Sequence, residues 1–93
     1  MIPATRKIRL ILDLRGRGIT DTDLLSAFER VPREDFVPEA FLDKCYEDTA
    51  LPIGFGQTVS QPSVVAFMLQ ALSLDQTHKV LEIGMGSGYQ TAL

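Results

Sequence analysis

The chain has 93 residues, of which 45% are hydrophobic and 23% are charged, a composition typical of one globular domain and not of a disordered or fibrous protein. The formal net charge of −3 disfavours a non-specific binder of nucleic acid or of anionic membranes, because both need a basic patch. The single cysteine, Cys45, excludes an intramolecular disulfide and favours a reducing compartment, so a cytoplasmic protein is expected.

The first predicted element is an amphipathic helix over residues 5–14. Ile8, Ile11 and Leu12 fall at the i, i+3 and i+4 positions of one helical face, and Gly16 follows as a C-terminal stop. The segment is basic at its start, yet its apolar run is far shorter than that of a signal peptide. Nowhere does an apolar stretch approach the roughly 20 residues that span a bilayer, so no membrane association is expected.

The second predicted helix begins with Thr20 as its N-cap and carries Asp21 and Asp23 in its first turn. Its apolar stripe comprises Leu24, Leu25, Phe28 and Val31. The helix is expected to end before Pro32, because proline removes a hydrogen-bond donor and restricts the preceding residue.

Between two prolines, residues 33–36 are predicted to form an ordered turn, and residues 39–46 a further short helix. No His or Asp constellation is recognisable around Cys45, so a structural thiol is the better interpretation, with a nucleophile or ligand as the alternative. His78 lies in a polar turn and is interpreted as a surface histidine.

Residues 51–62, with the sequence LPIGFGQTVSQP, have little helical periodicity and are predicted to form a loop. Ser60 is placed to cap the helix that follows, with Pro62 in the first turn, where a missing N–H costs little. That helix is apolar on nearly every side, through Val64, Val65, Phe67, Met68, Leu69, Ala71 and Leu72. It is therefore expected to be buried.

A short apolar strand is predicted at residues 80–83, followed by a glycine-rich loop with the sequence GMGSGY. The dinucleotide pattern GxGxxG fails at Tyr89, and the P-loop pattern fails because no Gly-Lys-Ser/Thr follows. What remains is GxGxG with Glu82 two positions before the first glycine, which matches the first motif of class I methyltransferases.

This loop suits S-adenosyl-L-methionine, a cofactor without phosphate. Glycine permits a sharp turn and a close approach of the backbone. The cofactor's carboxylate suits exposed backbone N–H groups, and its ammonium suits an anion such as Glu82. The motif is weak evidence by itself, because any strand-to-helix turn can carry several glycines.

Three stretches together resemble the protein-L-isoaspartate O-methyltransferase family. They are VPREDFVP at residues 31–38, LPIGFGQTVSQP at residues 51–62 and VLEIGMGSGYQTAL at residues 80–93, in the order in which the family has them. The resemblance implies an α/β fold in which N-terminal helices precede the first strand and glycine loop of a class I, Rossmann-like methyltransferase domain, truncated at residue 93.

The resemblance implies methyl transfer from S-adenosyl-L-methionine to the α-carboxylate of L-isoaspartyl residues in damaged proteins. The ester then closes to a succinimide, whose hydrolysis returns some normal aspartate and so repairs the protein. Ser60 matches the position of the family's active-site serine. The implied substrate contacts are Gln57, Thr58 and Ser60, and the implied cofactor contacts are Thr58, Gln61, Glu82, Gly84, Met85, Gly86 and Gly88.

The substrate carboxylate needs no general base, because an α-carboxyl group titrates at roughly 3.3–3.7. No His or Lys partner for Ser60 is recognisable, so its hydroxyl is expected to orient the carboxylate and not to act as a nucleophile. On the residues alone, a second interpretation stays open, in which Ser60 serves only as a helix N-cap.

The predicted organisation is one domain with a helical region at 1–50, an active-site loop at 51–62, and a buried helix with the start of the cofactor-binding unit at 63–93. One strand cannot make a sheet, so these residues alone are expected to be inactive. The alternatives are a cofactor-binding module and a different small-molecule methyltransferase on the same fold. The expected partners are isoaspartyl proteins and peptides, with no nucleic acid, membrane or metal ion, and the oligomeric state is open.

Overall fold

The computed structural model describes residues 3–93. The helices are α1 (Ala4–Gly16), α2 (Thr22–Arg30), two 3₁₀ helices (Arg33–Phe36 and Glu39–Lys44), α3 (Pro62–Leu72) and α4 (Tyr89–Ala92), and the strands are β1 (Leu51–Gly54) and β2 (Gln57–Val59). A cluster of buried side chains draws on all four α-helices and both strands. No helix in the described range is long and apolar enough to cross a membrane.

The first helix forms as predicted but buries a different face. Leu10 and Leu14 are buried and Ile11 is partly buried, whereas Ile8 and Leu12 are more than half exposed. The two leucines are four residues apart, so they also lie on one helical face, and the spacing alone does not decide between this face and the predicted one. α1 packs against α2, and the leucine face joins the cluster of buried side chains.

The N-cap of α2 is Asp21 and not Thr20, as predicted from the sequence. The Asp21 carboxylate accepts hydrogen bonds from the backbone N–H groups two and three residues further on, at 3.0 and 3.2 Å. The backbone N–H groups of Thr20 and Asp21 both donate to Oε1 of Gln70, at 2.8 and 3.0 Å, which anchors the start of the helix to α3. The predicted apolar stripe is confirmed, with Leu25 and Phe28 buried and Leu24 and Val31 packed against them.

The predicted turn and short helix are the two 3₁₀ helices. Cys45 follows the second of them and is completely buried. Burial raises the pKa of the Cys45 thiol, and the nearby Glu34 carboxylate raises it further. A raised pKa disfavours the reactive thiolate, which supports the interpretation of Cys45 as a structural thiol.

The segment predicted to be a loop folds as a β-hairpin. β1 and β2 pair antiparallel, with the buried side chains of Leu51 and Val59 opposite each other. Phe55 and Gly56 form the turn between the paired residues Gly54 and Gln57. Gly54, Phe55 and Gly56 have φ angles of 94°, 55° and 70°, which glycine adopts without strain, and this explains why two of these three residues are glycines. These glycines interrupt the alternation of apolar and polar residues that would have indicated strands.

α3 begins at Pro62, as predicted, but Ser60 does not cap it. Gln61 occupies the N-cap position without a side-chain hydrogen bond to the helix. Asp48 supplies the cap from the preceding segment, since its Oδ1 accepts a hydrogen bond from the backbone N–H of Ser63 at 2.7 Å. Its Oδ2 accepts a second bond from Nε2 of Gln61 at 3.2 Å. A carboxylate is favourable at this position because it faces the positive end of the helix dipole.

α3 is only half covered, whereas the sequence predicted a buried helix. Val65 and Ala66 are buried, and Gln70 fastens the helix to the segment before α2 by donating to the carbonyl of Gly18 at 3.1 Å. The exposed apolar side chains on the other side are Val64, Phe67, Met68 and Leu72. Within residues 3–93 these side chains are 42–68% exposed, so they lack a covering element.

Residues 80–83 do not form the predicted strand. The side chains of Val80, Leu81 and Ile83 are 60%, 86% and 89% exposed. A strand needs a neighbour to satisfy its backbone hydrogen bonds, and in the described sheet β1 and β2 pair only with each other. The apolar side chains of Val80, Leu81 and Ile83 are therefore part of the exposed apolar surface.

We predict that Asp48→Ala lowers the free energy of unfolding by about 1–2 kcal/mol, within the range found for loss of a helix cap. The Asp48 side chain is only 10% exposed, so water replaces the lost acceptor poorly. Urea denaturation followed by circular dichroism measures the change. Glu47→Ala, at an exposed neighbouring acid, is the matched control, and equal destabilisation by both substitutions would contradict the capping role.

We also predict that the Asp48 carboxylate makes the free energy of unfolding depend on pH. Burial alone would raise the pKa of Asp48, but hydrogen bonds from Ser63 and Gln61 and the charge of Arg17 outweigh it and hold the pKa below its ordinary value. The stabilisation is therefore complete above the unfolded-state pKa of about 3.9 and is lost as the pH falls through the folded-state value. Between neutral pH and about pH 3, Asp48→Asn should lose less stability than the parent chain, and equal losses would refute the prediction.

A further prediction concerns the uncovered apolar side chains of α3 and residues 80–85. A contiguous apolar surface of more than a few hundred Å² attracts dyes and other copies of a protein. The 93-residue chain should bind the dye ANS and self-associate as its concentration rises, as seen by fluorescence and sedimentation velocity. Phe67→Ser combined with Leu81→Ser should reduce both effects, while Thr5→Ser, at an exposed polar residue, should change neither. A parent chain that stays monomeric without dye binding would contradict the prediction.

Candidate functional site

An open cleft lies between two parts of the chain that the sequence singled out. One wall is the serine segment, residues 57–62, and the other is the glycine loop, residues 82–88. The lining residues are Thr58, Val59, Ser60, Val65, Glu82, Gly84, Met85, Gly86, Ser87, Tyr89 and Gln90. The internal volume is about 80 Å³, well below the roughly 300 Å³ at which small-molecule pockets begin. The cleft by itself is therefore too small to enclose a ligand of cofactor size.

On the first wall, Ser60 is exposed to the cleft and its main chain is fixed from behind. Its carbonyl oxygen accepts a hydrogen bond from Nη2 of Arg33 at 3.2 Å. Within residues 3–93 its hydroxyl has no hydrogen-bond partner, because Asp48 caps α3 in its place. The interpretation of Ser60 as the N-cap of α3 is therefore wrong, and the hydroxyl is available to a ligand.

On the second wall, the glycine loop has a backbone conformation that is unfavourable for residues with a Cβ atom. Gly84, Gly86 and Gly88 adopt φ angles of 76°, 58° and 86°, in the left-handed region that glycine populates readily. The Glu82 carboxylate accepts a hydrogen bond from the hydroxyl of Thr91, which ties the loop to α4. The loop thus presents main-chain groups and one carboxylate to the cleft.

Tyr89 follows the glycine loop and closes the back of the cleft. Its ring is buried between Phe28 and Phe36, with centroid separations of 6.2 and 5.5 Å. Burial raises the pKa of Tyr89 to about 12, although the charge of Arg33 opposes the rise. The hydroxyl is therefore protonated at neutral pH, and it has no hydrogen-bond partner among the described residues.

Arg33 lies behind both walls and is completely buried. Its Nη2 donates to the carbonyl oxygens of Ser60 and Thr49, at 3.2 and 3.3 Å, and its Cζ lies 4.9 Å from the centre of the Tyr89 ring. Burial lowers the pKa of Arg33. Arginine nevertheless stays charged in proteins, so a cation stands directly behind the cleft.

The structure brings together six of the residues predicted to form the site, namely Thr58, Ser60, Glu82, Gly84, Met85 and Gly86. It leaves three outside the lining. Gln57 is exposed at the start of β2, Gln61 donates its amide to Asp48, and Gly88 faces Phe36, whose Cε1 is 3.8 Å from where a Cβ would be.

Sequence reasoning missed the residues that support the cleft. Val59 and Val65 are apolar residues of ordinary appearance, and Tyr89 entered only as the residue that breaks the dinucleotide pattern. Only Arg33 is indicated in the sequence, because it is a charged residue between two prolines in the stretch VPREDFVP.

Nothing in the described range groups three or more His, Cys, Asp or Glu side chains as a metal site. His78 is a half-exposed turn residue, with Nδ1 accepting from the backbone N–H of Asp75 at 3.0 Å.

The chain has close relatives of known name. The family model described as protein-L-isoaspartate(D-aspartate) O-methyltransferase matches residues 5–93. The protein-L-isoaspartate O-methyltransferase of Rhodospirillum rubrum is 63% identical over 89 residues, which are 96% of this chain and 41% of the relative. The protein of that name from Pectobacterium carotovorum is 62% identical over 84 residues, covering 90% of this chain and 40% of the relative. The chain thus spans about two fifths of these relatives.

A solved structure of a protein with the same name has a similar fold. The structure titled protein-L-isoaspartate O-methyltransferase matches with a TM-score of 0.78 at 34% identity, over 92% of this chain and 28% of that chain. This similarity confirms the predicted fold class, in which N-terminal helices lead into a Rossmann-like methyltransferase fold. With the family model matching nearly the whole sequence, the chain belongs to the protein-L-isoaspartate(D-aspartate) O-methyltransferase family.

Proposed function

We propose that this chain carries the serine segment and the cofactor loop of an enzyme that methylates the α-carboxylate of L-isoaspartyl residues in damaged proteins. The methyl donor is S-adenosyl-L-methionine. The observation that carries the proposal is the shared cleft, in which Ser60 and Glu82 line opposite walls although they are distant in the sequence. Membership of the family supplies the reaction class.

The chemistry of the described lining residues fits this cofactor. They include the Glu82 carboxylate and no lysine or arginine, which suits a ligand that carries an ammonium and a sulfonium but no phosphate. The positions where Cβ atoms of Gly84 and Gly86 would stand are open apart from one carbonyl oxygen at 4.0 Å. Glycine thus leaves room for close approach of a ligand to the main chain, and Glu82 is the proposed partner of the ammonium.

The bound cofactor supplies a methyl group activated by a positively charged sulfur. Once bound, it would supply this methyl group to one oxygen of the substrate carboxylate. The carboxylate is already ionised at neutral pH, so no side chain of the cleft has to remove a proton. The contribution of the chain is to hold the reacting groups in line and close together.

Ser60 is the proposed orienting group. Its carbonyl is held by Arg33, so the main chain that carries the hydroxyl is positioned before a ligand arrives. A hydroxyl donates one hydrogen bond, which suits one carboxylate oxygen and leaves the other to attack. Thr58 and Gln57 precede it on β2 and are proposed to contact the substrate polypeptide, with Gln61, Met85 and Gly88 proposed on the cofactor side.

Completion of the site is proposed to need structure beyond these residues. The cleft has too little volume for the cofactor, and residues 80–83 have no partner strand. The protein is proposed to act in the cytoplasm, where Cys45 would stay reduced. Its proposed partners are proteins and peptides that contain isoaspartate.

The direct test joins these 93 residues to the remainder of the Rhodospirillum rubrum relative. The chimera should methylate an isoaspartyl peptide and leave the matched aspartyl peptide unmodified, as measured by transfer of a labelled methyl group. The 93 residues alone should transfer none. Equal methylation of both peptides would favour a different methyltransferase on this fold, and cofactor binding without transfer would favour a binding module.

A second prediction concerns Ser60. In the chimera, Ser60→Ala should lower kcat/KM for the isoaspartyl peptide by about tenfold or more, since loss of one hydrogen bond to a charged group is worth about 1.5–3 kcal/mol. Affinity for S-adenosylhomocysteine, measured by calorimetry, should change little. Ser26→Ala, at a residue of α2 outside the cleft, is the control. An unchanged kcat/KM in Ser60→Ala would remove Ser60 from the mechanism.

A further inference from the structure

Arg33 is the buried group whose role the proposed reaction leaves unassigned. It carries a full positive charge, yet it is completely buried and makes no ion pair with a carboxylate of the described residues. Burying a charge is unfavourable unless other interactions compensate for it. A side chain retained at such cost for packing alone would be better replaced by an apolar residue of similar volume.

The contacts of Arg33 connect the two walls of the cleft. Its Nη2 donates to the carbonyl of Ser60 in the first wall, and its guanidinium plane lies near the Tyr89 ring at the end of the second wall. A third contact, from Nη2 to the carbonyl of Thr49, anchors the segment before β1. One rigid planar group therefore touches the main chain of the serine and the aromatic residue that follows the glycine loop.

We infer that Arg33 is a positioning residue that fixes the distance between the serine segment and the glycine loop, and so aligns the substrate carboxylate with the methyl donor. The inference rests on the proposed methyl transfer. Arg33 is not among the lining residues, so it acts through the Ser60 carbonyl and the Tyr89 ring and does not touch the reacting atoms.

The shape of the side chain is as important to this role as its charge. A guanidinium is planar and presents its donors in a fixed geometry while it stacks on an aromatic face. A lysine ammonium is a compact point charge on a flexible stem, so it can keep the charge and one hydrogen bond but cannot hold both walls in the same way.

The inference predicts a distinctive kinetic result in the chimera with the Rhodospirillum rubrum relative. Arg33→Met should raise both the KM for an isoaspartyl peptide and the Kd for S-adenosylhomocysteine by about tenfold, a change of about 1.4 kcal/mol in each affinity. Arg33→Lys should lie between Met and the parent for both quantities. Arg30→Met, at an exposed arginine of α2, is the matched control and should leave both quantities unchanged.

Calorimetric titration gives the Kd for S-adenosylhomocysteine without any turnover, and methyl transfer gives the KM and kcat. If Arg33→Met lowers the melting temperature but leaves the KM and the Kd within about twofold of the parent, a change below 0.5 kcal/mol, Arg33 only stabilises the fold and the inference is overturned. If Arg33→Met does not fold, Arg33→Lys decides, since unchanged KM and Kd would again overturn it. A parent chimera that binds S-adenosylhomocysteine but methylates no peptide would refute the proposed function, while the calorimetric comparison would still test Arg33.

Discussion

The site depends on how a buried guanidinium is compensated. Arg33 cannot reach water, so the carbonyl oxygens of Ser60 and Thr49 and the face of Tyr89 must stay around it. Each of these partners belongs to a different segment of the chain. Because removing one of them would leave a charge poorly solvated, the segments are held in register with one another. The shape of the cleft follows from this requirement.

A second polar group organises the approach to the same cleft. The Asp48 carboxylate caps α3 and binds the Gln61 side chain, so the polypeptide leaves β2 in one direction and enters the helix without using Ser60 as a cap. The hydroxyl of Ser60 therefore does not cap the helix. Arg33 and Asp48 thus act on opposite sides of one residue, the first on its carbonyl and the second on the helix that follows it.

The open side of the cleft adjoins apolar side chains that no other part of residues 3–93 covers. Met85 lines the cleft and is also among the exposed apolar residues, and Val65 of α3 lines the cleft from a helix whose other side is uncovered. The chain spans about two fifths of its named relatives. Covering these apolar side chains would therefore also change the surroundings of the cleft.

Sequence patterns predicted the elements better than their environments. The positions of α1, α2 and α3, the stop before Pro32 and the identity of the glycine loop followed from local rules of periodicity and proline chemistry. The hairpin was missed because Gly54 and Gly56 break the alternation of strand residues. The buried face of α1 and the missing strand at residues 80–83 depend on which partners are present, which no local pattern records.

The same limit applies to the candidate site. The residues predicted from the family resemblance lie mostly in the lining, because Ser60, Glu82 and the glycines have conspicuous chemistry. Arg33 and Asp48 support those residues from behind and were missed, because neither the place of Arg33 between two prolines nor the polar sequence around Asp48 indicates that the side chain is buried. Burial becomes visible only when distant segments are brought together.

Nuclear magnetic resonance of the isotope-labelled chimera with the Rhodospirillum rubrum relative tests the central claim most directly. The claim is that the serine segment and the glycine loop form one cofactor cleft. On titration with S-adenosylhomocysteine, the backbone amides of Thr58, Ser60, Glu82 and Gly86 should shift together along one binding curve, while amides of the outer face of α1 stay in place. Shifts confined to the glycine loop, or to residues contributed by the relative alone, would contradict the account.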